Sequence, residues 1–401
     1  DRSEDYKHTA GIARPNSNTR GLTFGCGYVH TFCCHRLYHS GFGHRNGVLC
    51  LSSLFDVSKE PLPLVLARFK PTTPFFNPAE MKAIVYTKYG PPEVARLQEM
   101  PKPVPKDNEV LVKVHASTVN RTDSGFRSAE YFISRFWSGL FRPTLPILGS
   151  EFAGVIESVG KTVTQFKVGD AVFGFNDKTF GGHAEYLAIP ESAALSTIPA
   201  NMDFGTAAAL TEGSHYALVD IRAAKVEKGQ HVMVYGATGA IGSAAVQLLK
   251  HFGAIVTAVC NTKNVELVKS LGADVVIDYQ TQDFTQTRDR FSFIFDAVGK
   301  SSFGECKPLL TETGIYISTE LGKNGENILL ALTTSFSKGK KLLFPLPDIT
   351  RDDVEFIKIL AENGKFKPVI DRHYRLEEIV EAYRYVQSGT KTGNVILKIV
   401  D

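Results

Sequence analysis

Gly236-Ala237-Thr238-Gly239-Ala240-Ile241-Gly242 is the stretch that decides the fold. Ahead of it, His231-Val232-Met233-Val234-Tyr235 reads as a short buried strand; behind it, Ser243-Ala244-Ala245-Val246-Gln247-Leu248-Leu249-Lys250 reads as a helix. Strand, glycine turn and helix in that order form a dinucleotide phosphate site. Glycines let the backbone turn tightly and approach a pyrophosphate, and the helix N-terminus offers free N–H groups to its charge. A glycine triplet alone is weak evidence, but here its flanks are the ones the mechanism needs.

The next strand, Ala254–Cys260, bears on which dinucleotide is held. An acid at its end would hold a ribose 2′-hydroxyl, whereas a basic group favours a 2′-phosphate. No Asp or Glu occurs between Gly236 and Glu266, and the strand is followed by Asn261-Thr262-Lys263-Asn264. Hydroxyl, amide and ammonium donors at this point indicate NADPH. The alternation continues through a helix at Val265–Leu271 and strands at Val275–Ile277, Phe291–Val298 and Gly314–Thr319. Apolar strands alternating with helices argue a parallel sheet covered on both faces.

The 401 residues are enough for two or three domains, and the composition is that of an ordinary globular protein. A formal net charge of +3, with no basic stripe, argues against nucleic acid as a partner. No apolar run approaches the ~18 residues of a membrane span. Composition shifts at Met81. Cys26, Cys33, Cys34 and Cys50 precede it in a segment rich in Gly, Ser, Thr, Arg and His without sustained periodicity. Their spacing does not match a paired C-x-x-C metal site. Residues 1–80 are therefore read as a disordered or spurious extension. The two remaining cysteines, Cys260 and Cys306, suggest no disulfide framework, which fits a reducing compartment and a cytoplasmic location.

From Met81 to about Pro199 the pattern is β-rich, with Glu109–Ala116, Glu151–Val159, Asp170–Phe175 and Gly181–Ala188 as strands. Short strands with Gly and Pro turns suggest a small barrel-like domain. From about Leu342 helices at Asp352–Asn363 and Leu376–Ser388 and a strand at Gly393–Val400 follow.

From Met81 to Asp401 the chain resembles the medium-chain dehydrogenase/reductase superfamily, in its zinc-free, quinone oxidoreductase-like (zeta-crystallin-like) branch. The resemblance rests on Val119-Asn120-Arg121-Thr122-Asp123, Pro146–Gly154, Val168–Gly174, Gly182-His183-Ala184-Glu185-Tyr186 and the glycine turn. It implies an α/β chain with a GroES-like β-barrel-type catalytic domain at 81–204 and 342–401. A doubly wound parallel-sheet Rossmann domain occupies 205–341. Zinc alcohol dehydrogenases of this superfamily carry Cys and His ligands where this chain has Asn120 and Ser150. A catalytic zinc takes about three protein ligands, so none is expected here.

Without a Lewis acid, hydride transfer is easiest to an acceptor that spreads its own developing charge, a quinone or a conjugated enone or enal. The resemblance puts Asn120 near the nicotinamide and Tyr131 against the substrate cleft. Further along, Phe132, Phe136, Trp137 and Phe141 read as an apolar lid or a packed loop, and Arg127 and Arg135 as solvated. Cofactor contacts are implied at Gly236, Ala237, Thr238, Gly239, Ala240, Ile241 and Gly242, then at Asn261, Thr262, Lys263, Tyr279, Val298 and Gly299. Thr211 and Tyr216 are both candidates for a nicotinamide contact, and His215 reads as a helix residue. A homodimer through the nucleotide domain is also implied.

A short-chain dehydrogenase would need Tyr-x-x-x-Lys, and no tyrosine here has Lys at that spacing. Two alternatives to the reductase remain. One is an NADPH-binding structural or partner-binding protein; the other is an alcohol dehydrogenase-like reductase of aldehydes.

Overall fold

The computed structural model describes residues 79–130 and 132–400. The extension at 1–78 and Tyr131 lie outside them, as do the four N-terminal cysteines.

The barrel portion begins at β1 (Glu80–Val85), which pairs antiparallel with β2 (Arg96–Pro101). Then come β3 (Glu109–Thr118), helices α1 (Arg121–Ser128) and α2 (Arg135–Ser138), and strands β4 (Glu151–Val159), β5 (Ala171–Phe175), β6 (Tyr186–Pro190) and β7 (Leu195–Thr197). Strand β3 alternates sides with its buried valines Val110, Val112 and Val114, which meet Phe152, Ile156 and Val172 in one core. The expected strand Gly181–Ala188 starts only at Tyr186, because Gly181 sits at φ 107° and Gly182 packs against β4. A Cβ on Gly182 would stand 2.5 Å from the Glu151 carbonyl oxygen, so this stretch is a close crossing rather than a ladder.

The nucleotide portion is entered through α3 (Phe204–Ala208) and α4 (Glu212–Ala223). It then alternates β8 (His231–Tyr235), α5 (Ala240–His251), β9 (Ile255–Cys260), α6 (Val265–Ser270), β10 (Val275–Asp278), β11 (Phe291–Asp296), α7 (Phe303–Cys306), β12 (Leu310–Ser318), α8 (Glu326–Ser335) and β13 (Lys341–Leu343). The six strands are parallel in the order β10-β9-β8-β11-β12-β13. Both faces are covered, and Val232, Met233 and Val234 of β8 are fully buried. Each such side chain contributes about 1.5–3 kcal/mol. The order reverses direction at β8, so a crevice opens between the C-terminal ends of β8 and β11. Strand β13 is the sheet's edge and extends to Leu343, two residues past the boundary at 341 expected from the sequence.

The chain returns to the barrel through α9 (Arg351–Glu362), β14 (Ile370–Arg375), α10 (Ile379–Gln387) and β15 (Asn394–Lys398). The last strand pairs antiparallel with β3.

Candidate active site

A cleft of about 640 Å³ opens at the reversal point of the sheet. Its floor is the glycine turn. Gly236 is at φ 77°, and a Cβ there would stand 2.5 Å from the Val298 side chain. A Cβ on Gly242 would collide with the Gly236 carbonyl oxygen, so this glycine lets α5 sit directly on the turn. Gly239 is different: it caps α5, and a Cβ there would meet nothing closer than 4.0 Å. The open position lies beside the first-turn amides of α5, which have no acceptor within the helix. A cradle of this shape fits a pyrophosphate.

One side of the cleft, beyond β9 and β10, is lined by Asn261, Lys263 and Tyr279. Thr262 turns away: its hydroxyl donates to Asp278 across 2.5 Å and its backbone N–H to Gln280 across 3.1 Å. Asp278 is an acid at the end of β10, in register with Cys260, and it does not line the cleft. The other side is formed by Ala297 and Val298 after β11, by Thr319 and Glu320 after β12, by Glu212 at the start of α4 and by Arg121 from the barrel portion. Asp296, fully buried, anchors the β11 loop by accepting from the N–H groups of Val298 (3.1 Å) and Ser301 (2.9 Å) and from the Tyr316 hydroxyl (3.2 Å). Gly299, at φ 62°, leaves room for the Glu320 side chain. A strap at Val386–Thr392 closes the cleft from above, and the Gly393 N–H donates to the Thr238 carbonyl across 2.6 Å.

Of the sequence-predicted cofactor residues, Gly236, Thr238, Gly239, Ala240, Ile241, Asn261, Lys263, Tyr279 and Val298 line this one cleft. Ala237 and Gly242 are buried beneath the turn. Asn120 does not line it. Asn120 is buried and caps α1: its side-chain oxygen accepts from the Asp123 N–H at 2.8 Å, and its amide donates to the Ser150 hydroxyl at 2.9 Å. Tyr131 lies outside the described residues. Phe132, Phe136, Trp137 and Phe141 are exposed and apart from the cleft lining.

Four side chains depart from expectation. Arg127 is fully buried, not solvated: its guanidinium donates to the Gly90 carbonyl and stacks over the Tyr383 ring at 4.8 Å. Arg135 is half-buried over the Tyr89 ring at 4.9 Å. Of the α4 entry, neither Thr211 nor Tyr216 lines the cleft, whereas Glu212 between them does. Thr211 is turned inward onto Glu151, which accepts from its hydroxyl at 2.8 Å and its N–H at 3.1 Å. His215 lies inside α4, buried against Phe175 and Tyr216 with neither ring nitrogen bonded within the protein. Burial holds its pKa down to about 4 and keeps it neutral.

Sequence reasoning missed Glu212, Arg121, Glu320 and Lys391. Glu212 carried a signal, as the single acid in the run Ala207–Leu218. Lys391 stood in a Ser-Gly-Thr-Lys-Thr-Gly turn, which reads as an ordinary surface loop.

Comparison with known proteins agrees with this geometry. Residues 106–200 match the alcohol dehydrogenase GroES-like domain, and 271–397 match the zinc-binding dehydrogenase domain. The chain is 33% identical to 2-methylene-furan-3-one reductase of Solanum lycopersicum, over 80% of this chain and 79% of that protein. The NADPH-dependent alkenal/one oxidoreductase, chloroplastic, of Arabidopsis thaliana is 32% identical over 80% of each chain. The chain belongs to the medium-chain dehydrogenase/reductase superfamily, in its quinone oxidoreductase-like branch. Among solved structures, the quinone oxidoreductase from Coxiella burnetii superposes with a TM-score of 0.73 at 27% identity, covering 80% of this chain and 100% of that one. The GroES-like barrel and pyridine-nucleotide sheet expected from the sequence are thus the fold of this superfamily.

Proposed function

We propose that this protein is an NADPH-dependent, zinc-independent oxidoreductase that delivers hydride to a quinone or an α,β-unsaturated carbonyl. The observation that carries the reading is the donor set at Asn120, Ser150 and Glu151. Asn120 and Ser150 spend their side chains on one another, while Glu151 accepts from Thr118, Thr211 and the Glu212 N–H. An amide, a hydroxyl and a carboxylate already saturated by protein donors do not fit a zinc ion. Among the described residues no other group of His, Cys, Asp and Glu could hold one.

The nucleotide supplies a two-electron reductant as hydride. The protein's own work is to bind, orient and exclude water. The Gly236–Gly239 turn receives the pyrophosphate, and Val298 packs over Gly236, limiting how deep the cofactor can sit. Lys263, Asn261 and Tyr279 ring the position expected for a 2′-phosphate, and Lys263 supplies the charge. Two of the relatives named above reduce an alkenal or enone and a methylene-furanone, both conjugated carbonyls. The test is NADPH oxidation followed with an enone panel and a quinone panel. Turnover on either supports the reading. NADPH binding without turnover on both would instead favour a binding role.

A homodimer is part of this proposal. The outer face of α8 and the loop after β13 expose Leu329, Leu332, Phe336 and Leu346, beside a parallel sheet that ends in the unpaired edge of β13. Exposed apolar side chains near an edge strand suit a second copy. Sedimentation should give a dimer.

A further inference from the structure

Glu212 is an acid on the cleft wall to which the reading above assigns no role. It is 3% exposed, opens α4, and accepts from the Thr122 hydroxyl across 2.9 Å. The wall it occupies is the reacting end. With a pyrophosphate on the α5 N-terminus and the adenosine half over Asn261 and Tyr279, the nicotinamide half must run toward β11 and β12. Arg121, beside Thr122, reaches Glu320 after β12 at 3.6 Å and so marks that end.

Two carboxyls meet there with unequal surroundings. Glu151 accepts from the Thr118 hydroxyl, from both the N–H and hydroxyl of Thr211, and from the Glu212 N–H at 2.6 Å. Burial raises the Glu151 carboxyl above its ordinary value, and these four donors pull it back toward the anion. Burial and that neighbouring anion raise the Glu212 carboxyl to about 7, while Lys391 and Thr122 pull it back. The other titratable or charged groups facing the pair are Asp123 and Arg121 of α1 and Tyr216 of α4. With one side-chain donor against four donors on Glu151, Glu212 is the member of this pair that holds the proton near neutrality.

We propose that Glu212, hydrogen-bonded to Thr122, is the general acid of the reduction. This rests on the oxidoreductase reading above. With an enone, hydride from the dihydronicotinamide forms a bond to the β-carbon and the π pair moves to an enolate. The O–H bond of Glu212 then breaks as the α-carbon takes its proton. The nicotinamide is oxidised by two electrons, the alkene is reduced, and Glu212 is left as carboxylate. Water reprotonates it after product leaves. With a quinone, the proton goes to the ring oxygen.

The test pairs kinetics with a measurement that needs no cofactor. Glu212→Gln keeps an acceptor for Thr122 but has no proton to give. Its kcat should fall by about 10²-fold, the usual worth of a positioned acid. The wild-type rate should decline as pH rises through about 7, and the variant should lose that limb while NADPH binding, read by fluorescence, changes less than about threefold. In the cofactor-free protein labelled at the glutamate δ-carbon, one carbon resonance should titrate near neutrality and be missing from the variant. Thr122→Val, which removes a donor to the charged form, should move that titration upward. Wild-type kcat and pH profile in Glu212→Gln, no glutamate titrating above pH 6, or no response to Thr122→Val would overturn the proposal. A wild type that turns over neither substrate panel sinks the oxidoreductase reading and this one together; a turning-over wild type matched by Glu212→Gln sinks this one alone.

Discussion

The side-chain amide of Asn120 donates to the Ser150 hydroxyl across 2.9 Å, tying the N-cap of α1 to the residue that enters β4. Under the zinc-independent function proposed above, that single bond stands at the two positions where the resemblance places metal ligands in zinc-bearing members of the superfamily. Its consequence is direct. Purified protein should contain far less than one zinc per chain, and a chelator should leave NADPH oxidation unchanged. A stoichiometric, tightly held zinc would overturn the assignment of these residues. Because Asn120 also caps α1, Asn120→Ala should cost about 1 kcal/mol in urea unfolding, and that loss should appear with or without cofactor.

The glycines of the turn separate folding from binding. At Gly242 an added methyl collides with the Gly236 carbonyl, so Gly242→Ala should lose roughly 2 kcal/mol or more of stability. At Gly239 the same methyl enters open space, and only the exchange of Gly for the poorer N-cap Ala costs stability, about 0.5–1 kcal/mol. Gly239→Ala should therefore melt within about 2 °C of wild type yet bind NADPH at least tenfold more weakly, since the methyl occupies the phosphate cradle. Equal effects of the two changes on melting would contradict the packing described.

The nucleotide sheet was readable because its signals are local. An apolar strand, a glycine turn and a helix need no partner from elsewhere in the chain to be recognised, and the strands β8 to β12 fall within a few residues of expectation. Arg127 was not readable in that way. Its helix is short and polar, and what buries its guanidinium is Tyr383, which arrives from α10 far along the chain. Glu212 was passed over for a similar reason. Thr211 and Tyr216 have the more familiar chemistry, and only the inward turn of Thr211 onto Glu151 leaves Glu212 facing the cleft. The strand predicted at Gly181 failed because alternation cannot report that Gly181 takes a positive φ and that Gly182 passes under the backbone of β4.

Cofactor choice should rest on one ammonium. Lys263 lines the cleft after β9, whereas the nearby acid Asp278 is held by the Thr262 hydroxyl and the Gln280 N–H. Lys263→Ala should weaken NADPH binding by roughly tenfold, the worth of a charge-assisted contact of about 1.5 kcal/mol. NADH affinity should stay within about twofold, because NADH has no 2′-phosphate for the ammonium to meet. Fluorescence titration of both nucleotides against both proteins measures this. Tighter binding of NADH than NADPH by the wild type would remove the basis for the NADPH reading.

Asp220, in the middle of α4, makes a separate prediction about stability. Its carboxyl is buried, and burial alone raises its pKa from 3.8 to about 8. The folded protein therefore keeps this proton over a range of pH where the unfolded chain has released it. Between those two values the folded state binds more protons, so stability falls as pH rises, and the loss is complete above about 8. The buried His215 works in the opposite sense. Its pKa is lowered from 6.5 to about 4, so its contribution to stability rises with pH across that interval and is flat above it. Above pH 6.5 the slope due to Asp220 is therefore free of the histidine. Asp220→Asn has the same shape and cannot ionise. Its melting temperature should match wild type near pH 4 and exceed it by at least about 5 °C at pH 7.5. Thermal melts of the two proteins across that range decide the matter, and a difference that stays constant with pH would show that Asp220 is ionised in the folded protein.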